Sequence, residues 1–358
     1  MRTLVVSDLH LGARREPDVL RSRPGALDAL RETAGKFDRL VLLGDLVELR
    51  HGPLREAFAA ARPVLERLGA GLRPGAEVVI VPGNHDHRLL RPWIARRSAD
   101  RLPPALGLES PVDWREGEPL QRLAEWLGPA SVRAAYPGVW LREDVYAMHG
   151  HYADRETTVP ILERLGSGVM ARLLAEANGR PGRAEDYETA LGPMYAWIDA
   201  VAEQGGLAGR GGGGLQVRAW RRLDGSGGGR VSAQATSVGL AAFVYALNRS
   251  GIGPLYPDVS GRALRRAGLR AVGQVLAGLG ISASHVISGH THRAGPLRDD
   301  QPGEWVAGTG ARMLNTGSWV HEPSFLGDDP GRSPYRPGFA AVLEDEGPPA
   351  LVNLLDQA

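Results

Sequence analysis

Short apolar runs punctuate this chain, and several end abruptly in a polar cluster. "TLVV" (3–6) runs into Ser7-Asp8-Leu9-His10, "RLVLL" (39–43) into Gly44-Asp45, and "EVVIV" (77–81) into Gly83-Asn84-His85-Asp86. Further on, "DVYAM" (144–148) meets His149-Gly150-His151, and "SHVIS" (284–288) meets Gly289-His290-Thr291-His292. Runs this short, bounded by Gly, Asn and Asp, read as buried strands. Between the first three lie apolar residues at helical spacing: Leu27, Leu30 and Ala34, then Leu54, Phe58 and Leu65. Strands alternating with helices predict an α/β sheet. In such sheets ligands bind beyond the carboxyl ends of the strands. Every polar cluster sits at such an end, so the strand supplies rigidity and the loop carries the chemistry.

From about 152 to 256 the pattern changes. Ile161, Leu165, Val169, Leu173 and Leu174 share one helical face, which predicts a helix over 161–178. Leu191, Met194, Ile198 and Val201 do the same over 187–204, with Pro193 expected to break the first turn. A Gly-rich segment, 205–229, follows, and a third helix is expected over about 232–249. The block reads as a mostly helical insertion, 152–256, between two parts of one catalytic domain, 1–151 and 257–358; an independently folded second domain is the alternative. After it, 262–280 predicts a helix, and "RMLNTGS" (312–318), "FAAVLED" (339–345) and "ALVNLL" (350–355) predict closing strands.

Composition narrows the chemistry. The chain of 358 residues contains no cysteine, which removes disulfides, thiolate metal sites and a Cys nucleophile. That fits a reducing, cytoplasmic setting. Net charge is +1, so nothing in the total favours nucleic acid or a membrane surface. The longest apolar stretch, 238–247, is too short for a bilayer, which needs ~20 residues. Lys36 is the only lysine; Arg carries the rest of the positive charge.

The five clusters together form a ligand set. Asp8 and His10 stand two apart, as do His290 and His292, and residues two apart at a strand end project to one side. Asp45 follows a glycine, Asn84 adds a neutral carbonyl oxygen, and His149 adds an imidazole. Oxygen and nitrogen without sulfur suit Mn, Fe, Zn, Co or Ni. Seven ligands exceed one tetrahedral ion and suit two ions that share a carboxylate, the clamp used for in-line displacement at phosphorus. Half of the ten histidines (His10, His85, His149, His290, His292) fall in these motifs. Arg14, Arg15 and Arg88 lie just beyond the site loops and are candidates for phosphate binding. His151 is a candidate substrate contact, and His87 reads as a solvated loop residue.

These motifs resemble the signature of the calcineurin-like metallophosphoesterase superfamily: D-x-H, G-D, G-N-H-D/E, H, then G-H-x-H. Here it stands as Asp8-Leu9-His10, Gly44-Asp45, Gly83-Asn84-His85-Asp86, His149 and Gly289-His290-Thr291-His292. By motif the resemblance covers 1–151 and roughly 281–320. It implies a four-layer α-β-β-α sandwich of two mixed sheets. It implies two divalent or trivalent metal ions (Mn²⁺, Fe²⁺/Fe³⁺ or Zn²⁺), one held by Asp8, His10, Asp45 and His292, the other by Asp45, Asn84, His149 and His290. It also implies that His85 faces the substrate phosphate and assists the leaving group, with Asp86 orienting its ring. A metal-bridging hydroxide would attack.

The expected activity is hydrolysis of a phosphomonoester, phosphodiester or pyrophosphate bond in a small-molecule or lipid-linked substrate. One branch of the superfamily cleaves the pyrophosphate of UDP-diacylglucosamine and carries a helical insertion in a similar place, but it has Arg where this chain has His85. A nuclease should show a basic groove, which the net charge does not favour. A non-catalytic scaffold of the same fold would typically have lost ligands, and this chain keeps them all.

Overall fold

The computed structural model describes residues 1–14, 18–100, 104–156, 182–203, 261–327 and 329–356. Arg15, the helices expected over 161–178 and 232–249, and the Gly-rich 205–229 lie outside the described residues. The opening strands are β1 (Thr3–Val6), β2 (Arg39–Leu43) and β3 (Glu77–Val81), with helices α1 (Val19–Ser22), α2 (Ala26–Ala34) and α3 (Leu54–Gly71) between them. Helix α4 (Arg91–Ala99), strand β4 (Glu109–Val112) and helix α5 (Pro119–Trp126) lead to a long strand, β5 (Ser131–Arg142). Then come β6 (Val145–Met148), α6 (Ala153–Glu156), α7 (Ala184–Glu203), α8 (Gly261–Gly278), β7 (His285–Ser288), β8 (Arg312–Asn315), α9 (Pro323–Leu326), β9 (Phe339–Leu343) and β10 (Ala350–Asn353).

Among the described residues ten strands form one mixed sheet in the order β10-β9-β1-β2-β3-β5-β6-β7-β8, with β4 paired to β5. β1, β2, β3 and the start of β5 run parallel with their first residues in line: Thr3 beside Arg39, Arg39 beside Glu77, Glu77 beside Ser131. Their carboxyl ends therefore emerge together, and Asp8, Asp45 and Asn84 follow from one edge. In the other half, β6, β7 and β8 are parallel, with Val145 beside His285 and His285 beside Arg312. That register brings His149 and His290 out together. Strand β5 belongs to both halves: it pairs with β3 through Ser131–Ala134 and with β6 from Gly138 onward.

Strands β1 to β3 are nearly continuous apolar runs because both of their faces are covered. Leu4, Val6, Leu40, Leu42, Val78 and Ile80 pack with helical residues such as Leu30, Phe58, Leu65 and Leu68. The alternate residues Val5, Val41, Leu43, Val79 and Val81 join Val145, Ala147, Ile287 and Leu314 in a second cluster made of strand residues alone. Each such buried aliphatic side chain contributes about 1.5–3 kcal/mol.

Two expectations change here. Helix α7 runs without interruption through position 193. Its buried face is also rotated from the aliphatic stripe: Ala184, Tyr187, Leu191, Tyr195, Asp199 and Ala202 are buried, whereas Met194 and Ile198 are only partly so. The tyrosines turn inward by ring packing, Tyr187 stacked on Tyr152 and Tyr195 against His87 and His151, while Glu188 between them reaches the Tyr136 hydroxyl of the sheet.

Candidate metal centre

Each motif places its ligand through backbone that most residues avoid. Among the described residues the non-glycine positions with positive φ are Asp8 (54°), His10 (45°), Asp45 (52°), His290 (68°) and His292 (58°). Such conformations cost of order 1–3 kcal/mol each and persist only where the surroundings enforce them. Enforcement comes from bonds between the loops. Asp8 N–H donates to Gly44 O (3.0 Å), His10 N–H to Asp45 O (2.8 Å), and Gly289 N–H to His149 O (3.0 Å). Asp8 is held further by Ser7 Oγ and by His290 N–H (3.0 Å).

The motif glycines make room for the ligands. A Cβ on Gly44 would strike the His149 ring, one on Gly83 would strike Asp45, and one on Gly289 would strike Asp8 and Ser7. Gly44 also has φ +81°, which a side chain would resist.

The outer nitrogen of each ligand imidazole is engaged. His10 Nδ1 lies 3.0 Å from Glu48, His292 Nδ1 2.6 Å from Glu322, His149 Nδ1 3.0 Å from Leu43 O, and His290 Nε2 2.8 Å from Asp154. An acceptor on one ring nitrogen places the proton there and leaves a lone pair on the other. Those inner nitrogens converge. His10 Nε2 and His292 Nε2 are 3.0 Å apart, His292 Nε2 is 3.4 Å from Asp8 Oδ1, and His10 Nε2 is 3.7 Å from Asp45 Oδ2. On the other side His149 Nε2 is 3.2 Å from Asp45 Oδ2 and 3.1 Å from the Asn84 amide. Metal–ligand bonds of about 2.0–2.2 Å put neighbouring ligand atoms roughly 3–3.5 Å apart. Lone pairs facing one another at such separations fit cations between them.

Among the described residues three groups have ligand atoms within 4.8 Å of one another: Asp8, His10 and His292; Asp45, His149 and His290; and His10, Asp45 and His85. Asp45 joins the last two, and His10 links the first to the third. Charge follows the same geometry. Burial alone would favour neutral His149, but the Asp45 and Asp8 carboxylates outweigh it and lift the ring to about 9. Burial would raise Asp45, yet the His149 and His85 charges hold it well below the usual carboxylate range.

The structure corrects the role given to Asp86. Its carboxylate accepts backbone N–H groups of Gly83 (2.6 Å), Leu46 (2.7 Å) and Val47 (3.4 Å), so it ties two site loops together. The partner of the His85 ring is Glu48, 2.7 Å from Nδ1. Burial would raise Glu48, but the His85 charge and the bonds from His10 and His85 hold it well below its ordinary range. One carboxylate thus braces both a ligand and the motif histidine. Its signal in the sequence was its place three residues after Asp45, at the end of the same loop. Glu322 and Asp154 carried no comparable signal.

The remaining candidates divide. Arg14 is ion-paired with Glu56 of α3. Arg88 lies in a short 3-10 helix, His87–Leu90, and its charge acts on Asp199 of α7. His151 is buried behind His149, their ring centroids 5.6 Å apart, and bonds the Tyr136 hydroxyl at 3.0 Å. Burial and then the His149 charge push it well below the normal imidazole range. His87, expected in solvent, is buried, and its Nε2 lies 3.0 Å from Glu188.

Among the described residues, candidate His and Asp ligand clusters gather at the carboxyl ends of a mixed α/β sheet, the arrangement of a metal-binding class of protein. The family model described as calcineurin-like phosphoesterase matches residues 1–190, more than half of the chain, and the chain belongs to that family. The class is that of metal-dependent phosphoesterases. Among solved structures the chain is similar to a dimetal phosphatase from Danio rerio, at 11% identity over 99% of each chain with a TM-score of 0.32, a likeness too distant to add to the assignment. No curated protein matches the chain. Among the described residues no helix is long and apolar enough to cross a membrane.

Proposed function

We propose that this protein hydrolyses a phosphomonoester, phosphodiester or pyrophosphate bond at a two-cation centre. The observation that carries the reading is the convergence of imidazole lone pairs and carboxylates on two sides of Asp45. Asp8, His10, Asp45 and His292 would hold one cation, and Asp45, Asn84, His149 and His290 the other. Mn²⁺, iron or Zn²⁺ suits these donors. Two bound cations supply charge that polarises a phosphoryl oxygen and lowers the pKa of an attacking water.

His85 is the leaving-group acid in this reading. Its Nδ1 is held by Glu48, and among the described residues its Nε2 has no protein partner, so that nitrogen is left to face the substrate. Glu48 fixes the ring through that bond, which makes it a positioning residue. The sheet halves would stack as the inner layers of a four-layer sandwich, a reading supported by the strand-only core cluster. Residues 152–256 would be an insertion in the domain formed by 1–151 and 257–358, with α6 and α7 among its described parts.

The substrate class we favour is a phosphorylated small molecule or lipid-linked phosphate. The test is metal analysis of the purified chain together with turnover of p-nitrophenyl phosphate, bis-p-nitrophenyl phosphate and a pyrophosphate diester with Mn²⁺. Two metal equivalents and hydrolysis of at least one class are expected. Full metal content with no turnover across the panel would favour a non-catalytic scaffold.

A further inference from the structure

Beside the centre lie a buried hydroxyl without a hydrogen-bond partner and a guanidinium without an acidic partner among the described residues. Tyr195, on α7, is 1% exposed, and its hydroxyl makes no hydrogen bond. Arg50, two residues beyond Glu48, uses its backbone N–H on that carboxylate, but its guanidinium pairs with no described acid. The two lie together, with the Arg50 guanidinium 5.7 Å from the Tyr195 ring centroid. Tyr195 lies one layer from the centre: its ring is 6.0 Å from that of His151, which stands behind the ligand candidate His149, and 4.8 Å from that of His87. The charges it feels include Asp154, which holds His290, and the shared ligand Asp45.

Asn84 shows what these groups are for. Its amide lies between His149 Nε2 (3.1 Å) and His290 Nδ1 (3.2 Å) on one side and both terminal nitrogens of Arg50 (3.1 Å each) on the other. With nothing but protein present, the NH₂ turned to the imidazoles and the oxygen turned to Arg50 satisfy both sides. A cation between the imidazoles demands the reverse, because only the carbonyl oxygen is a ligand. The amide NH₂ then meets the guanidinium N–H groups, donor against donor. An anionic oxygen placed among them removes the conflict, and Tyr195, whose ring lies against the same guanidinium, brings a hydroxyl that has no partner of its own. Arg presents a fork of N–H groups that matches phosphoryl oxygens.

We infer that Arg50 and Tyr195 form a phosphoryl-oxygen subsite on the Asn84 side of the centre, so that the inserted helix α7 supplies a substrate contact. This rests on the phosphoesterase reading above. It makes loading of the second cation and anion binding mutually supportive through one amide.

The experiment is calorimetric titration of the Mn²⁺-loaded full chain with inorganic phosphate, with metal content and melting temperature measured in parallel. Arg50→Met should weaken phosphate roughly tenfold or more, the range for losing a hydrogen bond to a charged group. Arg50→Lys should recover part of that loss. Tyr195→Phe should weaken phosphate several-fold with a melting temperature at or above wild type, since it removes a buried hydroxyl without a partner. A purely structural role for either residue would lower the melting temperature and leave phosphate affinity alone, which overturns the inference. So does a wild-type chain that binds metal but no phosphate. If phosphate binding behaves as expected while no phosphoester is hydrolysed, the subsite stands and the phosphoesterase reading falls.

Discussion

Two histidine clusters lie back to back in this molecule, and they are built on opposite rules. In the ligand array each imidazole turns its N–H outward to a carboxylate or carbonyl and its lone pair inward to another lone pair. In the cluster under α7 the hydrogen bonds run between its own members. Glu188 accepts from the Tyr136 and Tyr152 hydroxyls and pairs with His87, while His151 Nε2 meets Tyr136. Both are buried and rich in His. What separates a candidate cation site from polar packing is the balance of donors and acceptors. The first region should matter to chemistry, and the second to the stability of the fold.

The comparison can be broken at its strongest point first. Asp45→Asn removes the shared carboxylate, so both cations should be depleted and turnover lost to background; two full metal equivalents with wild-type turnover would break the assignment. His85→Ala comes next. Turnover should fall roughly 10²–10⁴-fold, the range for a lost general acid, with metal content unchanged. The loss should shrink for substrates with good leaving groups. Glu48→Gln should act on both counts at once, lowering metal affinity or turnover about 10–100-fold, as bracing partners of ligands do. If it alters neither, Glu48 is not the partner of both rings in solution.

The sequence made most of this legible where short-range pattern and chemistry coincide. The strands carrying the ligands were readable because an apolar run ends where a ligand begins. Strand β5 escaped because Pro137 and Gly138 interrupt it; its partner changes from β3 to β6 near that point, so it never reads as one run. Asp86 was misassigned because adjacency in sequence does not bring it to the His85 ring; the loop turns its carboxylate to backbone N–H groups, and a residue 37 positions away takes its place. The inward face of α7 was missed for a related reason. Tyr187 turns inward to stack on Tyr152 and Glu188 to meet Tyr136, Tyr152 and His87, and an apolar stripe cannot reveal such partners.

The smallest effect expected tests the second region. Glu188→Gln should leave metal content unchanged and cost about 1–3 kcal/mol of stability, measured by denaturant unfolding. Burial would raise Glu188, but His87, and after it the Tyr136 hydroxyl and His151, hold it down at about 2. A carboxylate depressed in the folded state contributes its stability above the unfolded value of about 4.3, and that contribution fades as pH falls through the folded value. The gap between wild type and Glu188→Gln should therefore be full above that unfolded value and close toward pH 2. A gap constant across that window would mean the charge is not what the cluster uses.

Strand β1 has a consequence for how the protein is made. Its inner neighbour, β2, follows within the first half-sheet, but its outer neighbour is β9, with Thr3 beside Leu343. A ribosome adding about 5–20 residues per second needs roughly 17–70 s to synthesise the intervening 340 residues (343 − 3). Through that interval the nascent chain carries Asp8, His10, Asp45 and Asn84 without the histidines of β7, and one edge of β1 stays open to any strand that reaches it. Strand β1 gains its outer partner only once residue 343 has been made, so a product stalled or truncated before that point would display part of the candidate metal site beside an adhesive edge.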